Sequence, residues 1–396
     1  MSALRYLTAG ESHGPALIGI LEGLPAGLPL SSADLDAQLA RRQAGLGSGS
    51  RMKIERDHAQ ILGGVLAGQT TGGPLALRIE NLDHHRWAER DIEPMTVPRP
   101  GHADLVGAIK YGYEDLRLSL ERASARETAM RVALAAACRV LLEQHGVRLG
   151  GYVVRIGTTA WEPAINADAA ALWARCQAAE ASPVRCPDAT AAGQMTECVQ
   201  QHMQGRNTVG GVIEVVALGL PPGLGSFVQA DRRLSARIAG AMCSIPSVRG
   251  VEFGSGFGSA ALPGTAAQDG YGLHGDDIVN DGRHSGGLEG GVTTGAPLRL
   301  RIACKPIATT LLPQASVDLA SGQPAPTQYE RSDFCHVPRA VPIVEAMLCF
   351  ILADALCEKL GGDSLAEQQA RMVSLRRAKL SQLPMSNQSW RFGYEP

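Results

Sequence analysis

From Leu298 to Ile302 apolar and basic side chains alternate, with Leu298, Leu300 and Ile302 on one side of the chain and Arg299 and Arg301 on the other. A period of two predicts a half-buried strand. The same pattern occurs earlier, since TTGGPLALRI at 70–79 and TTGAPLRLRI at 293–302 agree at eight of ten positions. A second echo precedes each copy, GLPAGL at 23–28 and GLPPGL at 219–224. The repeated order predicts an internal duplication in which each half supplies an antiparallel sheet around shared helices. The predicted class is α+β: an internally duplicated β-α-β sandwich, two antiparallel sheets enclosing central helices.

Three segments carry helix signals. Residues 31–44 open on serine and aspartate and stop at Gly45; Leu35, Leu39 and Arg42 share a stripe, which leaves Arg42 at the helix end beside the core. In 124–145, Ser124 and Glu127 have the S-x-x-E spacing of a capping box, and Gly146 closes the helix. The run AVPIVEAMLCFILADALCEKLGG is apolar nearly all round, which predicts a buried helix with Pro342 near its first turn. Residues 160–205 read as mixed helix and loop. A single domain is expected over 1–380, followed by a loosely held tail at 381–396.

Composition narrows the partners. The chain has 396 residues, 45% hydrophobic and 19% charged, with a net charge of −2, which argues for a globular protein with a sizeable core and against nucleic acid or a membrane surface as partner. The start lacks the apolar core and cleavage site of a secretory signal, and no run approaches the length of a membrane span. Nine scattered cysteines without a C-x-x-C pair disfavour disulfides and structural zinc, so a cytoplasmic location is expected. Arginines number 32 and lysines five, yet Lys53, Lys110 and Lys305 fall inside motif-like stretches, a hint that a compact ammonium is needed there.

The polar chemistry concentrates in a few stretches. GESHG at 10–14 sets Glu11, Ser12 and His13 between two glycines, either a plain turn or a backbone that approaches a ligand closely. PRPGHADL puts Arg99 and His102 in a stiffened loop, and LERASARET puts Arg122, Ser124 and Arg126 at a helix start. A helix N-terminus flanked by arginines suits a phosphate or carboxylate, although the arginines could simply pair with Glu121 and Glu127. ERSDFCHVPRA sets Arg331 and Asp333 before the apolar helix, as an ion pair or as a base at a pocket wall. The glycines of HSGGLEGGVTTG, followed by CKPIATT, could surround a ligand with Lys305 supplying charge. There is no P-loop, GSGFGS at 254–259 does not fit G-x-G-x-x-G, and His84, His85, His102 and Asp104 lack a familiar metal-ligand spacing, so no metal is expected.

Taken in order, GESHG, RPGHAD, RASARETAMRVA, GLPPGLGS, VRGVEFGSGF, GGLEGG and RSDFCHVPRAVPIVEAM resemble chorismate synthase over about residues 1–365. The resemblance implies a duplicated fold, a homotetramer, and conversion of 5-enolpyruvylshikimate-3-phosphate to chorismate by loss of phosphate and the C6 proton, with reduced FMN and no net redox change. It implies His13 as the acid for phosphate departure, His102 as the residue serving flavin N1, and Asp333 in relaying the C6 proton. Substrate contacts would fall on Ser12, Arg42, Arg51, Arg99, Ser124 and Arg126. Flavin contacts would fall on Arg122, Ala123, Ser124, Pro246, Ser247, Gly290, on Lys305, Pro306, Ile307, Ala308 and Thr309, and on Arg331. The chain departs from the family pattern at Ala123, where many relatives have serine, and at SIPS in place of SINA, where Pro246 has no N–H to donate. It also has Ser48 where relatives often carry an arginine assigned to nicotinamide dinucleotide or substrate, and a short segment between Trp87 and Arg99. The expectation is an enzyme without NADPH-driven flavin reduction of its own, supplied by an external flavin reductase. A flavin-dependent oxidoreductase, or a catalytically silent flavin-binding protein on the same scaffold, are the alternatives.

Overall fold

The alternating segments pair into antiparallel sheets in a computed structural model that describes residues 3–47, 56–164, 167–280, 282–330 and 332–393. In the first sheet, β1 (Arg5–Ala9), β2 (Ala16–Glu22), β3 (Ala59–Gly63) and β4 (Leu75–Glu80) lie in the order β1-β2-β4-β3. In the second, β5 (Arg148–Ile156), β6 (Thr159–Ala160), β7 (Gly211–Leu218), β8 (Val248–Phe253) and β9 (Leu298–Cys304) lie in the order β8-β9-β7-β5-β6. Short hairpins make up the remaining sheets.

The two echoes meet in space in the same way. Thr70 Oγ1 donates to Pro25 O (2.5 Å) and accepts from Leu28 N (2.9 Å); Thr293 Oγ1 donates to Pro221 O (2.7 Å) and accepts from Leu224 N (2.9 Å). In both places the threonine carbonyl also accepts from the glycine of the P-x-G turn, Gly27 or Gly223, at 2.8 Å. Each threonine thus ties the exit of one strand to the approach of another, β2 to β4 and β7 to β9.

The half-buried reading holds for β4, where Leu75, Leu77 and Ile79 are buried. In β9 it fails at Arg299, which is buried as well. The outer face of the second sheet is covered: Tyr152, Val154, Val216 and Leu218 pack under the helix Ala169–Glu180, and Arg299 pairs with Glu214 on the neighbouring strand at 3.1 Å.

Seven helices frame the site and core: α1 (Ser32–Gln43), α2 (Asp104–Tyr111), α3 (Arg117–Ala123), α4 (Thr128–Gln144), α5 (Ala169–Glu180), α6 (Ala189–Gln204) and α7 (Leu234–Cys243); the long α8 (Val337–Leu360) crosses the interior. Helix α4 packs on the first sheet, α8 on the second, and the two on each other. By length and composition alone α8 could cross a membrane, contrary to the sequence reading, yet 89% of its most apolar window is buried in the protein. It also carries a buried charge, Glu345, whose carboxylate accepts from Arg41 Nη1 (2.7 Å) on α1 and Arg139 Nη2 (2.5 Å) on α4, joining three helices through one charge cluster.

Two helix boundaries differ from expectation. Helix α1 keeps its cap, a box between Ser31 and Asp34, and buries the stripe Leu35, Leu39 and Arg42. The box expected at Ser124 and Glu127 does not form: Ser124 Oγ accepts from Arg126 N at the head of a 3-10 turn, Glu127 pairs with Arg131 at 2.9 Å, and α4 begins at Thr128. Helix α8 starts at Val337, so Pro342 lies beyond the first turn. A proline there leaves the carbonyl four residues back without its N–H partner. That carbonyl, Pro338 O, accepts from Arg185 Nη1 at 2.5 Å, and Arg185 also donates to Arg41 O at 2.6 Å. Near the C-terminus, Ala378–Ser381 run along the hairpin of Gly272–His274 and Asp277–Val279, while Met385, Trp390 and Phe392 are exposed.

Candidate active site

At the C-terminal ends of β1 and β9 the chain leaves a cavity of about 1250 Å³. Its wall comes from the turn after β1, the loop at 99–103, the α3–α4 junction, the segment between α7 and β8, the loop after β9, and the start of α8. Among the described residues, ten arginine or lysine side chains line it against three carboxylates, so it draws multiply charged anions.

The turn after β1 depends on Gly10, which sits at φ +108; a Cβ there would come 2.4 Å from Ala16 O. The turn exposes His13 to the cavity and buries Ser12, whose Oγ is 3.1 Å from Ser124 Oγ. The His13 ring lies against the Trp87 ring, centroids 4.3 Å apart, and its Nδ1 is 2.7 Å from Glu121 Oε1. Burial alone would raise the Glu121 carboxyl, but hydrogen bonds from the His13 side chain and backbone outweigh it and hold the group below its ordinary value.

His102 is held in a similar way. Its Nδ1 lies 2.5 Å from Asp104 Oδ1, and Arg99 forks the same carboxylate through Nε (2.8 Å) and Nη2 (2.9 Å). Burial pushes Asp104 up; the hydrogen bonds from Arg99 and His102, with their charges, overcome this and hold it well below the usual carboxylate range. Arg99 also donates to Thr309 Oγ1 (3.1 Å), joining the histidine loop to the loop after β9.

The arginines are built into the wall. Arg42 donates to Thr128 Oγ1 (3.1 Å) and Ala125 O (3.0 Å), and Arg126 to Asn81 Oδ1 (2.8 Å) and Glu80 O (3.3 Å). Both reach the buried Asp57. Burial pushes Arg42 down to about 9, opposed by Asp57 and reinforced by Arg339 and Arg126. Arg122 stands at the rim, its guanidinium donating to Thr8 O (3.0 Å) and Gly10 O (3.3 Å) rather than to Glu121 or Glu127. Asp333 pairs with Arg339 of α8, which also donates to Arg42 O at 3.2 Å.

The cavity thus gathers Ser12, His13, Arg42, Arg99, His102, Arg122, Ala123, Ser124 and Arg126 with Pro246, Ser247, Lys305, Pro306, Ile307, Ala308, Thr309 and Asp333. Ser247, at φ +78, is 2.6 Å from His336 Nε2; burial pushes His336 down to about 4, so it is neutral at pH 7. Lys305 donates to Gly101 O at 2.5 Å, and burial followed by Arg249 lowers its pKa. Gly290 is not on this wall: it sits in the turn between Leu288–Glu289 and Val292–Thr293, beside Phe227. Arg51, Arg331 and Ser48 lie outside the described residues. No cluster of three or more His, Cys, Asp or Glu poised for a metal occurs among the described residues.

Asp57, Trp87, Glu121, His336 and Arg339 join the site without having been singled out as site residues from the sequence. For Asp104 a local signal existed, two positions from His102 and five from Arg99. Glu121 acts on a residue 108 positions away, which no spacing rule links.

The family model for chorismate synthase matches residues 4–357. The chain is 48% identical over 380 residues to the chorismate synthase of Thermobifida fusca (92% of this chain, 96% of that one) and 51% identical over 375 residues to that of Desulforudis audaxviator (92% and 95%). A crystal structure of chorismate synthase superposes with a TM-score of 0.78 at 39% identity, covering 94% of this chain and 96% of the other. The anion-drawing cavity with its two carboxylate-bound histidines is therefore carried by a chain that belongs to the chorismate synthase family.

Proposed function

We propose that this chain converts 5-enolpyruvylshikimate-3-phosphate to chorismate and phosphate with reduced FMN, as a carbon–oxygen lyase of the shikimate pathway to aromatic amino acids. The observation that carries the reading is the cationic cavity with His13 and His102, each bound at Nδ1 by a carboxylate. Its volume exceeds the roughly 300–1,000 Å³ usual for a single ligand, which suits a flavin and a substrate side by side. The donor set suits their phosphates and carboxylates, since arginine forks grip such groups bidentately.

When bound, reduced FMN would supply the electron density that departure of phosphate and loss of the C6 proton require, without net redox change. Arg122, Ala123, Ser124, Ser247 and the loop Lys305 to Thr309 would hold it, with Pro246 contributing shape but no N–H. His13 gives a proton to the departing phosphate oxygen, His102 serves the flavin N1 region, and Asp333, kept in place by Arg339, accepts the C6 proton as it is relayed. Arg42, Arg99 and Arg126 supply positive charge from the wall.

The proposal extends to the architecture: an internally duplicated sandwich over 1–380 with a loosely held tail. The matching strand orders and the paired threonine clamps of Thr70 and Thr293 support it. It also includes a cytoplasmic homotetramer fed by an external flavin reductase. Leu7 and Ile20, neighbours across β1 and β2 and exposed on the outer sheet face, give it a surface to assemble through.

The test is an anaerobic assay with chemically reduced FMN. Chorismate and phosphate are expected in equal amounts, over many turnovers per flavin. No chorismate under saturating substrate, or one flavin oxidised per product, overturns the reading.

A further inference from the structure

Glu121, at the end of α3, grips the Gly10–Gly14 turn at three points. Its carbonyl accepts from Ser12 N (3.1 Å), its Oε2 accepts from His13 N (2.8 Å), and its Oε1 lies 2.7 Å from His13 Nδ1. An ionised carboxylate can only accept, so the hydrogen in the last contact sits on Nδ1. With one ring face against Trp87 and Nδ1 engaged, Nε2 is the ring nitrogen left for a ligand in the cavity.

His102 is held differently in one respect. Asp104 binds the Nδ1 of His102, but Arg99 forks Asp104 and neutralises it. Among the described residues, no arginine or lysine forms an ion pair with Glu121; its ion-pair partner is His13, and the charge of Arg117 acts on it less than His13 does. The charge of Glu121 is therefore directed at the imidazole ring, where a cation must form if His13 is to act as an acid.

We propose that Glu121 is the positioning residue for His13, fixing its Nδ1–H and orienting Nε2 as the atom that delivers a proton to the leaving phosphate. The inference rests on the reading of His13 as the acid. In that step the C3–O bond breaks with its electron pair on the phosphate oxygen. Nε2 gives its proton to the leaving phosphate, and the ring is left neutral with its remaining hydrogen on Nδ1, still donated to Glu121. The carboxylate gains no proton, so the same contact serves the ring before and after the transfer.

Single-turnover and steady-state assays of the flavin-loaded enzyme test this with Glu121→Gln, His13→Ala and the double variant. Glu121→Gln is expected to lower kcat by about 10²-fold or more, within the range of a positioned acid–base group, while KM stays within a few-fold. In the His13→Ala background the same change should cost nothing further, because Glu121 acts only through His13. Wild-type kcat in Glu121→Gln with His13→Ala impaired, or additive losses in the double variant, overturns the role of Glu121 and spares that of His13. Wild-type kcat in His13→Ala overturns both. Should Glu121→Gln fail to fold, nitrogen-15 spectra of the wild-type histidines decide: neutral His13 is expected as the Nδ1–H tautomer, and finding Nε2–H overturns the proposal.

Discussion

Asp57 stands between two arginines, its Oδ1 2.5 Å from Arg126 Nη1 and its Oδ2 3.4 Å from Arg42 Nη1, with its side chain wholly buried. The three groups form one unit in which the Asp57 carboxylate bridges two cations. Asp57→Ala leaves both arginines buried beside each other, a loss of about 3–5 kcal/mol by the usual cost of breaking a buried pair. Denaturant unfolding measures it, and in the folded fraction KM should rise more than kcat falls, because the arginines supply binding charge rather than a proton.

His13→Ala and His102→Ala should each lower kcat by about 10²–10⁴-fold with little change in substrate binding, since each removes a proton-handling group rather than a contact made equally in ground and transition states. Rapid-quench measurement of phosphate release, with circular dichroism as the check on folding, separates the two effects. A kcat within a few-fold of wild type in either variant would remove that histidine from the mechanism.

Stability should fall on the acid side. Glu345, Glu214 and Asp104 all have folded pKa values below their ordinary 4.5, 4.5 and 3.8: burial opposes the shift in each, and the neighbouring arginines, with Tyr152 for Glu214 and His102 for Asp104, overcome it. A depressed carboxyl contributes stability that is fully present above its unfolded value and is lost as pH falls through its folded value. The melting temperature should therefore hold steady down to about pH 4.5 and then drop. Glu345→Gln should lower it at pH 7 and flatten the drop, because the variant has one fewer carboxylate to protonate.

Purified protein should not sustain chorismate formation with NADPH and oxidised FMN, and should do so once an external flavin reductase is added. Ser48, short and neutral where the family resemblance leads one to expect an arginine, motivates this. An arginine fork to a clustered phosphate contributes about 1.5–3 kcal/mol per charged hydrogen bond. Flavin reduction by NADPH at the rate of product formation would refute the expectation.

What the sequence made legible was local. The stripe Leu35, Leu39 and Arg42 declared both the helix and its buried face, because a helical period needs only neighbours. The threonine echoes marked matching turns for the same reason. The capping box at Ser124 failed because Arg126 N takes the serine oxygen and Arg131 takes Glu127, both options the spacing also allowed. Proline favours a helix start, which is where the sequence suggests Pro342; it lies further in because the carbonyl it orphans, Pro338 O, is satisfied by Arg185, over 150 positions away. Glu121, 108 positions from His13, and Asp57, 69 from Arg126, were hidden in the same way: the residues around them carry no mark of what they touch.

Arg185 gives the loop between α5 and α6 a second meaning. Held at φ +52 and buried, it caps the carbonyls of Pro338 on α8 and Arg41 on α1, so the first turns of α8 are completed by a segment outside both main sheets. Opening that loop removes the partner of Pro338 O and loosens the helix start that carries His336 and Arg339. The loop and the helix start should therefore exchange their amide hydrogens as one cooperative unit, with a shared opening free energy below that of the sheets. Native-state hydrogen exchange would read this directly, and Arg185→Ala should split the two into separate openings.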